Sequence, residues 1–254
     1  MKDVEVVTVN NLSLKKPIMI EGLPGVGHVG KLVAEHMIEE LDAVKVVDVY
    51  STHFPPQVLV MADGSVRLVK NEIYAWSSKN VDLLLLVGDY QSATNVGHYI
   101  LTDAFLEVAE KYKVKRIYTL GGYGIGQLVD DQVVLGAVND INLIKEIKSY
   151  GVEFREDEPG GGIVGVSGLL LGMAKRRNIE AACLMGVTSG YLVDPKSAQA
   201  VLSVISRALD IEIDMQALEE RAKDMEKIVA KIREMEMMQA PKDLMGKEDL
   251  GYIR

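Results

Sequence analysis

The run Leu83-Leu84-Leu85-Leu86-Val87, opened by Asp82 and closed by Gly88-Asp89, is apolar without a break over five positions. A strand with one wet face alternates apolar and polar residues, so an unbroken run reads as a central strand covered on both faces. Outward from it, β-branched runs near residues 4–9, 17–21, 44–50, 115–120 and 180–187 alternate with amphipathic stretches near 28–40, 97–112, 139–149, 163–177 and 195–209. This βαβ rhythm predicts an α/β fold, a mainly parallel sheet flanked by helices. The last stretch opens with Asp194-Pro195, an N-cap residue followed by proline at the first helical position. One interruption is antiparallel. Val58-Leu59-Val60-Met61 and Val66-Arg67-Leu68-Val69 flank Asp63-Gly64, which predicts an inserted β-hairpin at an edge or as a flap.

The chain has 254 residues, 48% of them apolar, enough for one large α/β body, which the pattern carries through about residue 212. Lys and Arg total 28 against 37 Asp and Glu, a net charge of −9, which repels phosphate backbones. The densest basic spot, Lys175-Arg176-Arg177, is three residues long, so no nucleic-acid partner is expected. The single cysteine, Cys183, excludes a disulfide framework and lies in an apolar run, where an inert buried thiol is the default. No apolar stretch approaches the roughly 18 residues of a membrane span. The start carries no cationic segment followed by an apolar one. The expectation is a cytoplasmic protein with no membrane partner.

Beyond the body the composition shifts. Residues 215–239 contain no Gly or Pro, and Met215, Leu218, Ala222, Met225, Val229 and Ile232 fall at steps of three and four. A long C-terminal helix over 213–239 follows, its seam either capping the chain's own core or joining protomers as a coiled coil. Pro241 ends it. In the remaining tail, 240–254, the apolar Leu250, Tyr252 and Ile253 beside Arg254 read as a peptide that docks elsewhere.

Among local motifs, Gly25, Gly27 and Gly30 fit G-x-G-x-x-G between a strand and a helix, with Asp48 about twenty residues on. Glycines permit a tight turn, and free amides at a helix start can hold an anion. The same letters nearly fit a phosphate loop through Gly30-Lys31, but Leu32 stands where a magnesium-binding hydroxyl belongs. Such turns also arise wherever a helix packs closely on a sheet, and that packing reading is the stronger one. Gly160-Gly161-Gly162 follows a cluster of carboxylates that opposes an anion, and Gly121-Gly122-Tyr123-Gly124-Ile125-Gly126 follows a predicted strand end, where it shapes a crevice or a tight connection. Ser167 in Gly165-Val166-Ser167-Gly168-Leu169 lacks the final glycine of a nucleophile elbow and reads as a packing position. His28, His36, His53 and His98 are scattered, without metal-ligand spacing, and read as surface or capping residues. No catalytic set, metal site or cofactor follows from these residues.

Taken together, five ordered blocks carry a wider likeness: Gly22-Leu23-Pro24-Gly25-Val26-Gly27; Gly88-Asp89-Tyr90-Gln91; Tyr118-Thr119-Leu120-Gly121-Gly122-Tyr123-Gly124; residues 163–172; and Gly190-Tyr191-Leu192-Val193-Asp194-Pro195-Lys196-Ser197-Ala198. Over about residues 4–209 the chain resembles the proteasome assembly chaperone 2 family, in particular its archaeal homologues. The resemblance implies a fold akin to purine nucleoside phosphorylases, self-association into a homo-oligomer, and a non-enzymatic chaperone role in building the proteasome α-ring. Its implied partners are proteasome α subunits and a possible related chaperone, and it implies no catalytic residue and no cofactor. In proteasome-activating partners a hydrophobic-Tyr-any terminus inserts between α subunits, with its carboxylate paired to a lysine. Here the order is shifted, Tyr252 third from the end and Ile253 penultimate, so docking is expected through Leu250, Tyr252, Ile253 and the Arg254 carboxylate. Two alternatives stay open: an enzyme holding a nucleotide or phosphate ligand on the Gly25–Gly30 loop, and a scaffold that self-assembles through the Met215–Ile232 seam.

Overall fold

Burial along the apolar run sorts by parity. Leu83 and Leu85 join one hydrophobic core and Leu84 and Leu86 the other, all four with no exposed surface. That is the pleat of a strand packed on both faces. In the computed structural model, which describes residues 3–129, 132–156, 162–220, 222 and 223, the elements follow in this order: β1 (Val4–Thr8), β2 (Ile18–Glu21), α1 (Val29–Glu40), β3 (Val44–Ser51), β4 (Val58–Val60), β5 (Val66–Leu68), β6 (Asn71–Ser77), β7 (Asp82–Gly88), α2 (Asn95–Lys111), β8 (Arg116–Gly124), β9 (Val134–Val138), α3 (Ile144–Ser149), α4 (Gly165–Arg176), β10 (Glu180–Thr188) and α5 (Pro195–Leu209). Residues 216–220 are again helical.

Eight strands form one sheet in the order β1-β3-β6-β7-β2-β8-β10-β9. β7, β2, β8 and β10 pair in parallel. β3 runs with them, since β6 is antiparallel to both β3 and β7. The reversed strands are β1, β6 and β9. Helices α2 and α4 pack together on one face, α1 and α5 on the other. The first core joins Met19, Leu84, Leu86, Ile117 and Cys183 to Phe105 and Leu170; the second joins Ile20, Leu85, Leu120 and Leu184 to Val33, Val201 and Ile205. Asp194 caps α5 by accepting from the Ser197 amide at 2.9 Å.

The hairpin β4–β5 forms as the sequence indicates, but as a two-stranded sheet of its own. Two strands of the main sheet are additions to the sequence reading. In β6 the inward positions begin with the polar Asn71, whose amide donates to the Tyr90 carbonyl oxygen at 3.0 Å, so the apolar alternation is masked. β9 is a short edge strand containing Gly136. The helix expected over 139–149 divides into a 3-10 turn, Ile141–Leu143, and the shorter α3, the turn capped by Asp140 accepting from the Asn142 amide. His36 is not a surface residue: it is 3% exposed, and its Nε2 lies 2.6 Å from the Asp214 carbonyl oxygen. Among the described residues, no helix is long and apolar enough to cross a membrane.

Candidate functional site

Strands β3, β7, β2, β8 and β10 end on one side of the molecule, at Ser51, Gly88, Glu21, Gly124 and Thr188. The loops that leave these ends carry almost every motif singled out in the sequence. Open α/β sheets place their recognition surfaces there, outside the carboxyl ends of the strands.

Between β2 and α1 the structure brings Gly25, Gly27 and Gly30 into one turn; Gly25 is exposed, and the surroundings of Gly27 and Gly30 are those of a packed joint. A Cβ on Gly30 would stand 2.1 Å from the Leu120 carbonyl oxygen, and one on Gly22 would stand 2.3 Å from the Gly30 carbonyl oxygen. Helix α1 is therefore laid directly on the sheet, which any side chain at these positions would prevent. Gly27 has φ +62, and its carbonyl accepts from the Asp194 amide at 2.9 Å. Lys31, at the place of a phosphate-loop lysine, donates to the Gly88 carbonyl oxygen at 2.9 Å and pairs with Glu35 at 3.0 Å. Asp48 is not brought to this loop. Two strands, β6 and β7, separate β3 from β2, and Asp48 pairs with Lys70 at 2.9 Å and Lys45 at 3.4 Å.

Beneath the rim lies a carboxyl that the sequence reading counted only as the end of a strand. Glu21 is fully buried, and burial pushes its pKa up to about 7 against the hydrogen bonds that favour its ionised form. Its Oε1 accepts from the Leu23 amide at 3.0 Å and its Oε2 from the Ser167 hydroxyl at 2.8 Å. Gln91 works beside it: Oε1 accepts from the Val166 amide at 3.1 Å, while Nε2 donates to the Pro24 carbonyl oxygen at 2.8 Å. Helix α4 has Val164 at its N-cap and no side-chain cap of its own. Glu21 and Gln91 hold its first turn instead, and a carboxylate there also suits the positive end of the helix dipole. Ser167, whose hydroxyl is committed to Glu21, is thus a structural donor. The available signal was a glutamate closing an otherwise apolar strand just before Gly-Leu-Pro-Gly.

Glu21, Thr119 and Cys183 align across β2, β8 and β10. Burial pushes the Cys183 thiol up to about 12, the inert state expected of it. His53 Nδ1 lies 2.8 Å from the Thr94 hydroxyl, and His28 is exposed at the N-cap of α1. Among the described residues, no group of three or more His, Cys, Asp or Glu side chains could hold a metal ion.

The hairpin stands on the same rim. Arg67 donates to both Asp89 oxygens, at 2.6 and 2.8 Å, and the Lys70 amide donates to Asp89 Oδ2 at 3.1 Å. This bidentate pair, together with Leu59 against the first core, anchors the hairpin by its inner side. A groove of about 590 Å³ runs along its base, lined by Phe54, Pro55, Pro56, Leu68 and Val69 among others.

Of the C-terminal seam, Leu218 (0% exposed) and Ala222 (6% exposed) are buried within the chain's own fold, and Met215 packs against the core beneath α1 and α5. Met225, Val229 and Ile232 lie outside the described residues, as do Leu250, Tyr252, Ile253 and Arg254.

Comparison with known proteins places these features in a family. The model of the PAC2 family matches residues 19–233. Uncharacterized protein MJ1210 of Methanocaldococcus jannaschii is 41% identical over 243 residues, covering 94% of this chain and 93% of its own. The crystal structure of Pyrococcus furiosus PbaB, an archaeal proteasome activator, is similar with a TM-score of 0.87 and 43% identity, over 92% of this chain and 100% of that one. Pyrococcus furiosus PbaA, an archaeal homolog of proteasome-assembly chaperone, is similar with a TM-score of 0.75 and 26% identity, over 93% and 94% of the two chains.

Proposed function

We propose, on the premise that the chain belongs to the PAC2 family, that it is a non-enzymatic binding protein that engages proteasome α subunits and assists assembly of the α-ring. What carries this reading is the paired likeness to PbaB, a proteasome activator, at 43% identity over the whole of that chain, and to PbaA, a homolog of proteasome-assembly chaperone, at 26%. The chemistry of the rim supports it. Lys31, Asp89, Gln91 and Ser167 are each tied to other groups of the fold, so the strand ends are built to hold a stiff surface in place. Recognition by an assembly factor needs such a surface more than it needs a reactive group. The tail residues Leu250, Tyr252, Ile253 and Arg254 are the proposed contact with α subunits, an apolar and aromatic pair flanked by charge. Self-association into a cytoplasmic homo-oligomer belongs to the same proposal.

Capture of purified α subunits by the intact chain and by a chain ending at Ala240 tests it. The intact chain is expected to retain α subunits and the shortened chain to lose most of them. Retention by neither overturns the function; equal retention by both overturns the role of the tail and moves the contact to the body.

A further inference from the structure

Nineteen large apolar side chains stand exposed among the described residues. Six of them, Val6, Val7, Val9, Leu12, Val44 and Ile141, lie along the β1 edge or at the end where the co-directional strands begin; the other thirteen crowd the end where those strands finish. The hairpin, inserted between β3 and β6, carries five of the thirteen: Val58, Val60, Met61, Val66 and Leu68. Its register sets Val58 opposite Leu68 and Val60 opposite Val66. With Leu59 and Arg67 turned to the body, these four share the outer face, at 47, 53, 73 and 62% exposure. A flap in water carries polar residues on its outer side, and this one is apolar there. Helix α2 extends the patch with Val96 and Tyr99, 63 and 58% exposed. Gly97 keeps them beside the groove, because a Cβ there would stand 2.4 Å from that of His53.

We propose that this end of the sheet, centred on the outer face of β4–β5, is where a second copy of the chain docks. It rests on the self-association proposed above and says where that association happens. Three observations favour a second copy as the occupant. The rim that bears the thirteen apolar side chains spans the ends of β3, β7, β2, β8 and β10, room enough for the roughly 20–30 residues a side that a stable interface uses, and an apolar face is the mark of a permanent homomeric one. An antiparallel hairpin with paired Val58–Leu68 and Val60–Val66 presents nearly the same surface after a half-turn, so two such faces stack as an isologous sheet-on-sheet contact. A chain of net charge −9 repels its own copy, and this uncharged square lets two copies approach. The competing seam is already engaged at its start, where Leu218 and Ala222 are buried in the chain's own fold.

Sedimentation velocity over a dilution series tests it, using the full chain as wild type, as Val60→Asp/Val66→Asp, and as Ile141→Asp, a control 78% exposed at the opposite end. The wild type is expected at a multiple of 27.9 kDa. The double variant is expected at the monomer mass with an unchanged far-UV spectrum, since both side chains already face solvent, and Ile141→Asp is expected to match the wild type. A double variant that keeps the wild-type mass overturns the proposed surface while leaving self-association standing. A wild type that is monomeric throughout overturns both, and leaves α-subunit capture to its own test. A monomeric wild type whose double variant loses α-subunit capture gives the face to a proteasome subunit and overturns the second copy.

Discussion

Two glycine-bearing turns share the rim of the sheet and have opposite surroundings. At Gly30 a side chain would run into the Leu120 backbone at 2.1 Å; at Gly64, in the hairpin turn, nothing lies within 4 Å. Glycine serves the first turn by having no volume and the second by tolerating φ +83. The turn whose letters resemble cofactor chemistry is closed at Gly30, where helix and sheet meet. The turn that reads as a plain connection joins two strands whose outer face is apolar and exposed. A motif therefore reports what the backbone needs, and only the neighbours tell whether a ligand or the fold itself needs it.

The sharpest way to break this contrast is Gly30→Val. Because the obstructing atom is backbone, α1 must lift from the sheet, and a loss of about 4 kcal/mol in urea unfolding, or failure to fold, is expected. Wild-type stability in that variant would mean that α1 does not rest on Leu120. A second effect lies under the closed side. Burial raises the folded-state pKa of Glu21 from 4.5 to about 7, so the folded chain holds this proton more tightly than the unfolded one. The stability it contributes is complete below about pH 4.5 and is lost as pH rises through about 7, a change of about 3 kcal/mol. Glu21→Gln is expected to lack that loss, so its stability relative to wild type should climb between pH 5 and pH 8 in paired urea titrations. A constant difference across that window would mean that Glu21 is ionised throughout. The smallest effect belongs to the open turn: Gly64→Ala meets no atom and bears only the left-handed backbone, about 1 kcal/mol. A loss as large as that of Gly30→Val would show that the hairpin turn is packed after all.

Much of the fold was legible along the chain because its signals are local. The run 83–87 announces a two-sided strand, Asp63-Gly64 a hairpin, and Asp194-Pro195 a helix start, and each holds. What was not legible depends on neighbours distant in sequence. Strand β6 hides behind Asn71, whose polarity makes sense only beside the Tyr90 carbonyl. Glu21 looked like the polar end of a strand until α4 was found resting on it. His36 looked exposed because its partner, the Asp214 carbonyl, lies 178 positions away. The outer face of the hairpin was visible as Val58, Val60, Val66 and Leu68, but only the structure shows that no part of the described chain covers it.

The way α4 begins has a consequence for how the polypeptide is made. Its opening turn is secured by Gln91 and Glu21, which precede their partners by 75 and 146 positions. A chain emerging from its amino end presents both anchors before residue 165 exists, so this helix arrives at a berth already prepared. Refolding from denaturant grants no such order. The two long closures must then be found by diffusion, and registering α4 should be among the late events of folding.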